Sequence, residues 1–425
     1  MKEINFIKTC KLIQPIYRSL TGKGNYKTLK ILKTINKDLK ILSFKSGKKV
    51  FDWKIPLEWN IKDAWIKDFN NKKVLDFKNN FLSIVSYSNK INKFLTLKEL
   101  KKKIHTLKKQ PNLIPYVTSY YKKDWGFCMS YNDKKKLKNG KYQVSIDSSF
   151  KKGKLQIGEI YIPGKLKKEI LLTTYICHPY MANNELSGPV VLIHLSNWIK
   201  KISKRKYSYR ILFSSETIGT LSFIEKRLDT LKKNVIGGYV LSCVGDNRCY
   251  SLIKSKKENS LSNIIALKNF KRLAKKKKIY SWLQRGSDER QFNAPGVAID
   301  IAGFSRSKYG EYKEYHSSDD QIGKVVTESG LKGSYNFMKK IIIDFENTEV
   351  PFTKIIGEPF LTKHKLVSEL SKKDFRLKDK KNFLNLISFS DGTRRIEEIA
   401  KLAKLSLAKS KQLFQILKNK KIVNY

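Results

Sequence analysis

The sequence predicts an α/β protein: a mainly parallel sheet flanked by helices, a small inserted β-rich domain and a C-terminal winged helix-turn-helix. Three observations predict it. From about residue 142 to 350, short apolar runs alternate with longer amphipathic ones, the pattern of strands joined through helices into a parallel sheet. Between about 40 and 95 the texture changes to short alternating runs, "KKVFDWKIP", "DAWIKD" and "KKVLDF", separated by turn residues, as in a small β domain. Beyond "ENTEVPFTKIIGEP" (346–359), with its two prolines, the tail reads as two short amphipathic helices.

Taken in order, residues 1–35 form a helical opening around "LIQPIYRSLTGKGNYKTLKILKTI". The aromatic-rich "IPYVTSYYKKDWGF" (114–127) leads back into the main domain. Its expected strands are "YQVSID", "LQIGEIYI", "EILLTTYI", "YRILFSS", "GGYVLSC" and "GVAIDIAG", with helices at 187–202, 218–232 and 258–277. In the tail, Ile396, Ile399, Ala400 and Ala403, then Leu407, Leu413, Phe414 and Leu417, mark two apolar faces. Leu405-Ser406 supplies the turn, with Ser406 as cap of the second helix. The expected domains are therefore 1–40 with 105–350, an insertion at 41–104, and a winged helix-turn-helix at 355–425.

A chain of 425 residues that is 40% hydrophobic can fill a substantial core. No run approaches the roughly 18 apolar residues of a membrane span, and lysines interrupt the amino-terminal segment where a signal peptide would be apolar. The reading is a cytoplasmic protein. Its five cysteines, Cys10, Cys128, Cys177, Cys243 and Cys249, are scattered and odd in number, which suits reduced thiols. The formal charge of +51 is nearly all lysine and is spread through every segment. Such a bias needs no nucleic-acid partner, and runs such as "LKELKKKIHTLKK" read as solvated helix faces.

Four loops carry the chemistry. His178 follows "LLTTYIC", with Asn184 and Glu185 before a helix that opens at Ser187-Gly188. Glu216 follows the strand "ILFSS", Asp288 precedes "GVAIDIAG", and "YHSSDD" supplies His316 and Asp319 after it. A lone histidine is usually structural, as His194 in "VVLIHL" is read here, and a strand-end carboxylate is often a helix cap. Together, at the carboxyl ends of neighbouring strands about 4.8 Å apart, these groups can meet around one ion.

The segments "RSLTGKG" (18–24), "FDWKIPLEWNIKDAWIKD" (51–68), "IPYVTSYYKKDWGFCMS" (114–130), "YICHPYMANNELSGPVV" (175–191), "SETIGT" (215–220), "GSDERQFNAPGV" (286–297) and "YHSSDD" (315–320) resemble a bacterial aminopeptidase-like family associated with polysaccharide-biosynthesis clusters. That family belongs with the di-zinc aminopeptidases and glutamate carboxypeptidases. The resemblance implies a zinc-aminopeptidase-like fold, with His178 and His316 as the first and last metal histidines. Asn184 falls where those enzymes carry a metal-bridging aspartate. Glu216 falls on their general base, Thr217 on a glutamate ligand and Ser242 on an aspartate ligand.

Two adjacent dications need carboxylates to bridge and neutralise them, so the neutral groups at 184, 217 and 242 imply one zinc rather than two. The expected ligands are His178, His316 and a carboxylate, Glu185 or Glu216, with Asp288 as a further oxygen and Glu216, where it is not a ligand, as the catalytic base. The substrate expected is a peptide or an acylated or aminoacylated amino sugar, on which Trp53, Trp59 or Trp125 could stack. Two rival readings stand beside this hydrolase: a catalytically degenerate binding protein, and a DNA-binding regulator using Lys409, Lys411, Gln412 and Gln415 of the tail. A nucleic-acid partner is not the favoured one, and a homo-oligomer is compatible with the chain.

Overall fold

The segments "EILLTTY" and "SYRILFS" are buried at every position, as strands covered on both faces must be. They form the middle of an eight-stranded sheet in a computed structural model that describes residues 4–273, 275–353, 355–366 and 376–425. In chain order its strands are β1 (Lys40–Lys45), β2 (Lys154–Ile162), β3 (Glu169–Tyr175), β4 (Ser208–Ser214), β5 (Val235–Leu241), β6 (Tyr250–Ile253), β7 (Lys277–Tyr280) and β8 (Ala302–Ser305). Across the sheet the order is β1-β2-β4-β3-β5-β8-β6-β7. The four central strands, β4, β3, β5 and β8, run parallel. β1, β2 and β6 enter antiparallel to their inner neighbours, and the edge strand β7 runs parallel to β6.

Helices cover both faces. Phe6–Ile13, Lys23–Ile35, Ser187–Lys200, Leu261–Leu273 and Glu328–Glu346 contribute to one core, with Phe6, Leu29, Leu195, Phe270 and Met338 inside it. On the other face Ile218–Asn234 packs Phe223, Ile224 and Leu231 with Phe292. The start of the 187–200 helix lies hard against the sheet. A Cβ on Gly188 would come within 2.2 Å of Thr174 Oγ1 and 2.6 Å of the Leu241 carbonyl, so this close approach requires glycine. It pins the preceding turn, which carries Asn184, between the ends of β3 and β5.

The inserted sheet differs from the expected boundaries. Its four strands, in the order Lys73–Asp76, Glu58–Lys67, Lys141–Lys151 and Ile91–Thr96, are all antiparallel. "YQVSID" is thus a central strand here, not part of the main sheet. Burial alternates along it, with Tyr142, Val144, Ile146 and Ser148 inward, as a sheet with one wet face demands. Residues 40–45, at the expected start of the insertion, form an edge of the main sheet instead. "GVAIDIAG" becomes strand only from Ala302, because Gly296 (φ 80°) and Ala298 (φ 52°) are left-handed.

In the tail, helices Arg376–Ser388, Ile396–Leu402 and Leu407–Asn419 enclose a separate core around Leu386, Ile399, Phe414 and Leu417. Residues 367–375 of the expected domain lie outside the described residues. Ser406 Oγ accepts from Lys409 N at 3.2 Å, capping the last helix. Leu407, expected inward, is 40% exposed. The final strand, Val423–Asn424, pairs with Phe352–Thr353 and so ties the tail to the main domain. All five cysteines are unpaired, and among the described residues no helix is long and apolar enough to cross a membrane.

One ion network crosses the sheet. Arg210 on β4 is 6% exposed, pairs bidentately with Glu169 on β3 at 2.6 and 2.8 Å, and also meets Glu159 on β2. Removing the cation leaves Glu169 without its ion partner and Glu159 with Arg227 alone, so Arg210→Ala should lower stability by about 3–5 kcal/mol in urea denaturation. A loss below about 1 kcal/mol would show that water reaches these groups.

Candidate metal centre

Because β3, β4, β5 and β8 are parallel, their carboxyl ends open on one edge, and each sends a loop there. His178 follows β3 and is 3% exposed. Its Nδ1 is in direct hydrogen-bond contact with Glu185 Oε1, and Glu185 Oε2 accepts from Cys177 N at 2.8 Å. Both oxygens of Glu185 are therefore committed. No ion fits between it and Nδ1, which leaves Nε2 as the free coordinating atom of His178. Glu185, expected as a ligand, is placed behind the histidine instead.

His316 comes from the loop after β8, with a left-handed backbone at φ 55°. Its ring stacks on Tyr315 at 3.8 Å between centroids and lies 5.5 Å from the ring of His178. Tyr116 packs edge-on against both rings, at 4.8 and 5.2 Å, and its amide donates to the His316 carbonyl at 2.8 Å. Burial, then the neighbouring His178, pushes the His316 pKa down to about 3, so the imidazole is neutral at pH 7. His178 is raised: its burial is outweighed by the contact with Glu185.

Glu216 follows β4. Its Oε2 stands 4.0 Å from His178 Nε2, and its side chain keeps 24% of its surface open. Among the described residues neither of its carboxylate oxygens is hydrogen-bonded. Burial in the protein, then the charge of Asp288, pushes its pKa up to about 8 against the pull of His178. The next residue, Thr217, sits at φ 63° and ψ −80°, a strained conformation for a β-branched residue. Asp288 holds it there, accepting from Thr217 N at 2.8 Å and from Thr220 Oγ1 at 2.6 Å.

The remaining expected groups do not supply ligands in this arrangement. Both oxygens of Asp288 are used on the Thr217 turn. Thr217 Oγ1 takes a bond from Arg290 at 2.9 Å. Ser242 is buried, and its amide donates to the Phe304 carbonyl at 3.3 Å. Asn184 lies in a buried π-helical turn, 182–186, with its Nδ2 3.2 Å from the Tyr175 hydroxyl. Cys177 Sγ lies within 4.8 Å of ligand atoms of His178 and Glu185, but burial and Glu185 raise its pKa well above the ordinary thiol value. It stays a thiol and accepts from Glu216 N at 3.2 Å. Asp319 is half-buried and pairs with Lys324 at 2.6 Å.

Sequence reasoning missed Asp320. This buried carboxylate accepts from Asn183 N at 2.7 Å, Asn184 N at 3.0 Å and the Tyr312 hydroxyl at 3.1 Å. It thereby joins the His316 loop to the Asn184 turn. Tyr116 was also passed over as a site residue, although it lies in a segment already singled out.

The donor set fits one zinc ion. Two imidazoles bound to one zinc at 2.0–2.1 Å put their centroids about 5 Å apart at a tetrahedral angle, close to the 5.5 Å observed. His316 Nε2 is buried and has no hydrogen-bond partner among the described residues, an arrangement that is unfavourable by about 1–3 kcal/mol unless something binds there. Of the expected carboxylates, Glu216 is the one with both oxygens unbonded among the described residues.

A family profile described as a domain of unknown function, DUF4910, matches residues 7–348. The chain belongs to this family. A Clostridium acetobutylicum protein named for polysaccharide biosynthesis and an aminopeptidase-like domain is 41% identical over 333 residues, covering 78% of this chain and 76% of its own. A crystal structure from the same bacterium, carrying a peptidase name, matches 99% of this chain and 95% of its own at TM-score 0.79 and 36% identity. BSAP, a zinc aminopeptidase from Bacillus subtilis, matches 81% of this chain and 96% of its own at TM-score 0.57 and 13% identity. The fold is thus that of the aminopeptidase-like proteins.

The raised pKa of Glu216 has a sign that can be checked. Below its ordinary value of 4.5 the group is protonated both folded and unfolded. Between there and about 8 the unfolded chain releases the proton while the folded chain keeps it, so stability falls as pH rises. In metal-free protein, the stability of Glu216→Gln relative to wild type should therefore grow from pH 5 to 8 in parallel thermal melts. A constant difference would place Glu216 in open water.

Proposed function

We propose that this protein is a single-zinc amide hydrolase of aminopeptidase type. The observation that carries the proposal is the meeting of His178, His316 and the unbonded carboxylate of Glu216 at one edge of the sheet. His178 and His316 would hold the ion through Nε2, with Glu216 Oε2 as third ligand. Zinc, when bound, lowers the pKa of its water to about 7 and polarises a carbonyl. One anionic ligand and the carboxylate behind His178 balance the charge of one dication, where a second would go uncompensated.

The chain's own groups divide the remaining tasks. Glu185 fixes the tautomer of His178, so that Nε2 carries the lone pair. The second oxygen of Glu216 accepts the proton of the attacking water and passes it to the leaving amine. Asp288 keeps Glu216 in place by locking the strained turn behind it. Tyr116 shields both imidazoles from bulk water. Of the tryptophans expected to stack on substrate, Trp59 is buried on Tyr87 and Trp125 lies beneath Lys93 and Lys103. Trp53, 41% exposed and 6.0 Å from Tyr121, remains free to stack on a sugar or peptide. The name of the Clostridium acetobutylicum relative supports an acylated amino sugar alongside a peptide as substrate. The tail is read as a winged helix whose final strand pairs with residues 352–353, the segment that leads into it.

Zinc titration and hydrolysis of aminoacyl-nitroanilides and N-acyl amino sugars test this reading. One equivalent of zinc should bind, and His178→Ala or His316→Ala should weaken it by more than 100-fold. Glu185→Gln should weaken it by about 10–100-fold. Glu216→Gln should lower kcat by about 10³-fold. A protein that takes up no zinc and turns over neither substrate class would refute the hydrolase and leave the degenerate reading, which Asn184, Thr217 and Ser242 favour.

A further inference from the structure

Beside the histidine site, on the other side of Tyr312, opens a cavity of about 810 Å³. Seven of its eleven lining residues are lysine or arginine, whereas 88 of 425 residues are in the whole chain. The lysine excess of the protein predicts about two. Part of the enrichment has a structural explanation: Lys277 and Lys278 lie on β7, an edge strand, where lysines discourage pairing with other chains. That does not account for Arg248, Lys308 and Lys313, which reach the same cavity from two other segments.

The charges are unevenly used. Arg248 forks onto Glu314 at 2.9 Å through both nitrogens. Lys308 lies over the rings of Tyr280 and Tyr309 at 5.2 and 4.6 Å. The one lining carboxylate, Glu311, is met by Lys278 at 3.3 Å and Lys308 at 3.9 Å. Lys275, Lys276 and Lys313 form no ion pair among the described residues. Gathered ammonium groups repel one another, and a compact polyanion relieves the repulsion. Ammonium ions are point-charge partners suited to phosphate oxygens. The volume falls in the range of small-molecule sites.

We propose that this cavity binds a ligand bearing a pyrophosphate group, held by Lys275, Lys276 and Lys313. Tyr312 forms the wall between this ligand and the histidine site, since its hydroxyl lies 3.1 Å from Asp320 Oδ2 and 3.7 Å from Cys243 Sγ. A pyrophosphate against Tyr312 is therefore linked to the Asn184 turn through Tyr312 and Asp320. The binding does not depend on the hydrolase reading and stands or falls without it.

The test is isothermal titration of the full-length protein with inorganic pyrophosphate, ADP and farnesyl diphosphate at physiological salt. The cavity variant Lys275→Glu/Lys276→Glu/Lys313→Glu is compared with Lys8→Glu/Lys11→Glu/Lys27→Glu, which changes net charge equally on exposed helices elsewhere. Circular dichroism confirms that both fold. The expected result is pyrophosphate binding that the cavity variant weakens at least 30-fold and the control variant at most threefold. Tighter binding of ADP would then identify a nucleotide as the source of the group, and tighter binding of farnesyl diphosphate a lipid. Equal weakening by both variants, or no binding by wild type, overturns the proposal. So does an oligonucleotide that needs the three lysines when pyrophosphate does not.

Discussion

Glu185 is buried against His178 with both of its oxygens turned inward, and the site is built on that contact. A carboxylate in such a place is tolerable only if hydrogen bonds and positive charge replace its water. The Cys177 amide and the imidazole Nδ1 supply the bonds. Arg18, buried and lowered to about 10 by that burial, is favoured in turn by the charge of Glu185. Once Nδ1 is taken, the ring has one face of chemistry left, and that face looks toward His316 and Glu216. With the Asn184 amide hydrogen-bonded to Tyr175 and Glu185 turned back on Nδ1, the adjacent side chains of one turn serve different ends.

The parallel centre of the sheet makes the rest possible. Four strand ends open on one edge, so residues separated by 138 positions, from His178 to His316, come together without long-range adjustment. The strain at Thr217 is local, and the deeply placed Asp288 holds it against relaxation. These are separate devices serving one geometry.

The layers and the helix positions were legible because uniformly buried strands and amphipathic helices leave strong periodic signals. The far boundary of the insertion is marked only by a change in alternation. "KYQVSIDSSF" alternates, as a half-wet strand does, whereas true strands of the main sheet such as "EILLTTY" do not alternate at all. The two histidines could be picked out because both follow apolar strands. Their partners could not be ranked: Asp319 and Asp320 are adjacent and identical in type, and only the fold decides that one faces Lys324 and the other the Asn184 turn. Likewise nothing in the order Asn184-Glu185 says which side chain turns back to Nδ1.

The segment 114–120 carries one further implication. Its Val117 carbonyl and Ser119 amide pair with Ser86 of the inserted domain at 2.9 and 3.0 Å. At its other end, Ile114 and Tyr116 pair with Ser318 and His316 at 2.9 and 2.8 Å. This short tether joins the inserted domain to the backbone of the His316 loop, so four main-chain hydrogen bonds fix where that loop sits relative to the smaller domain.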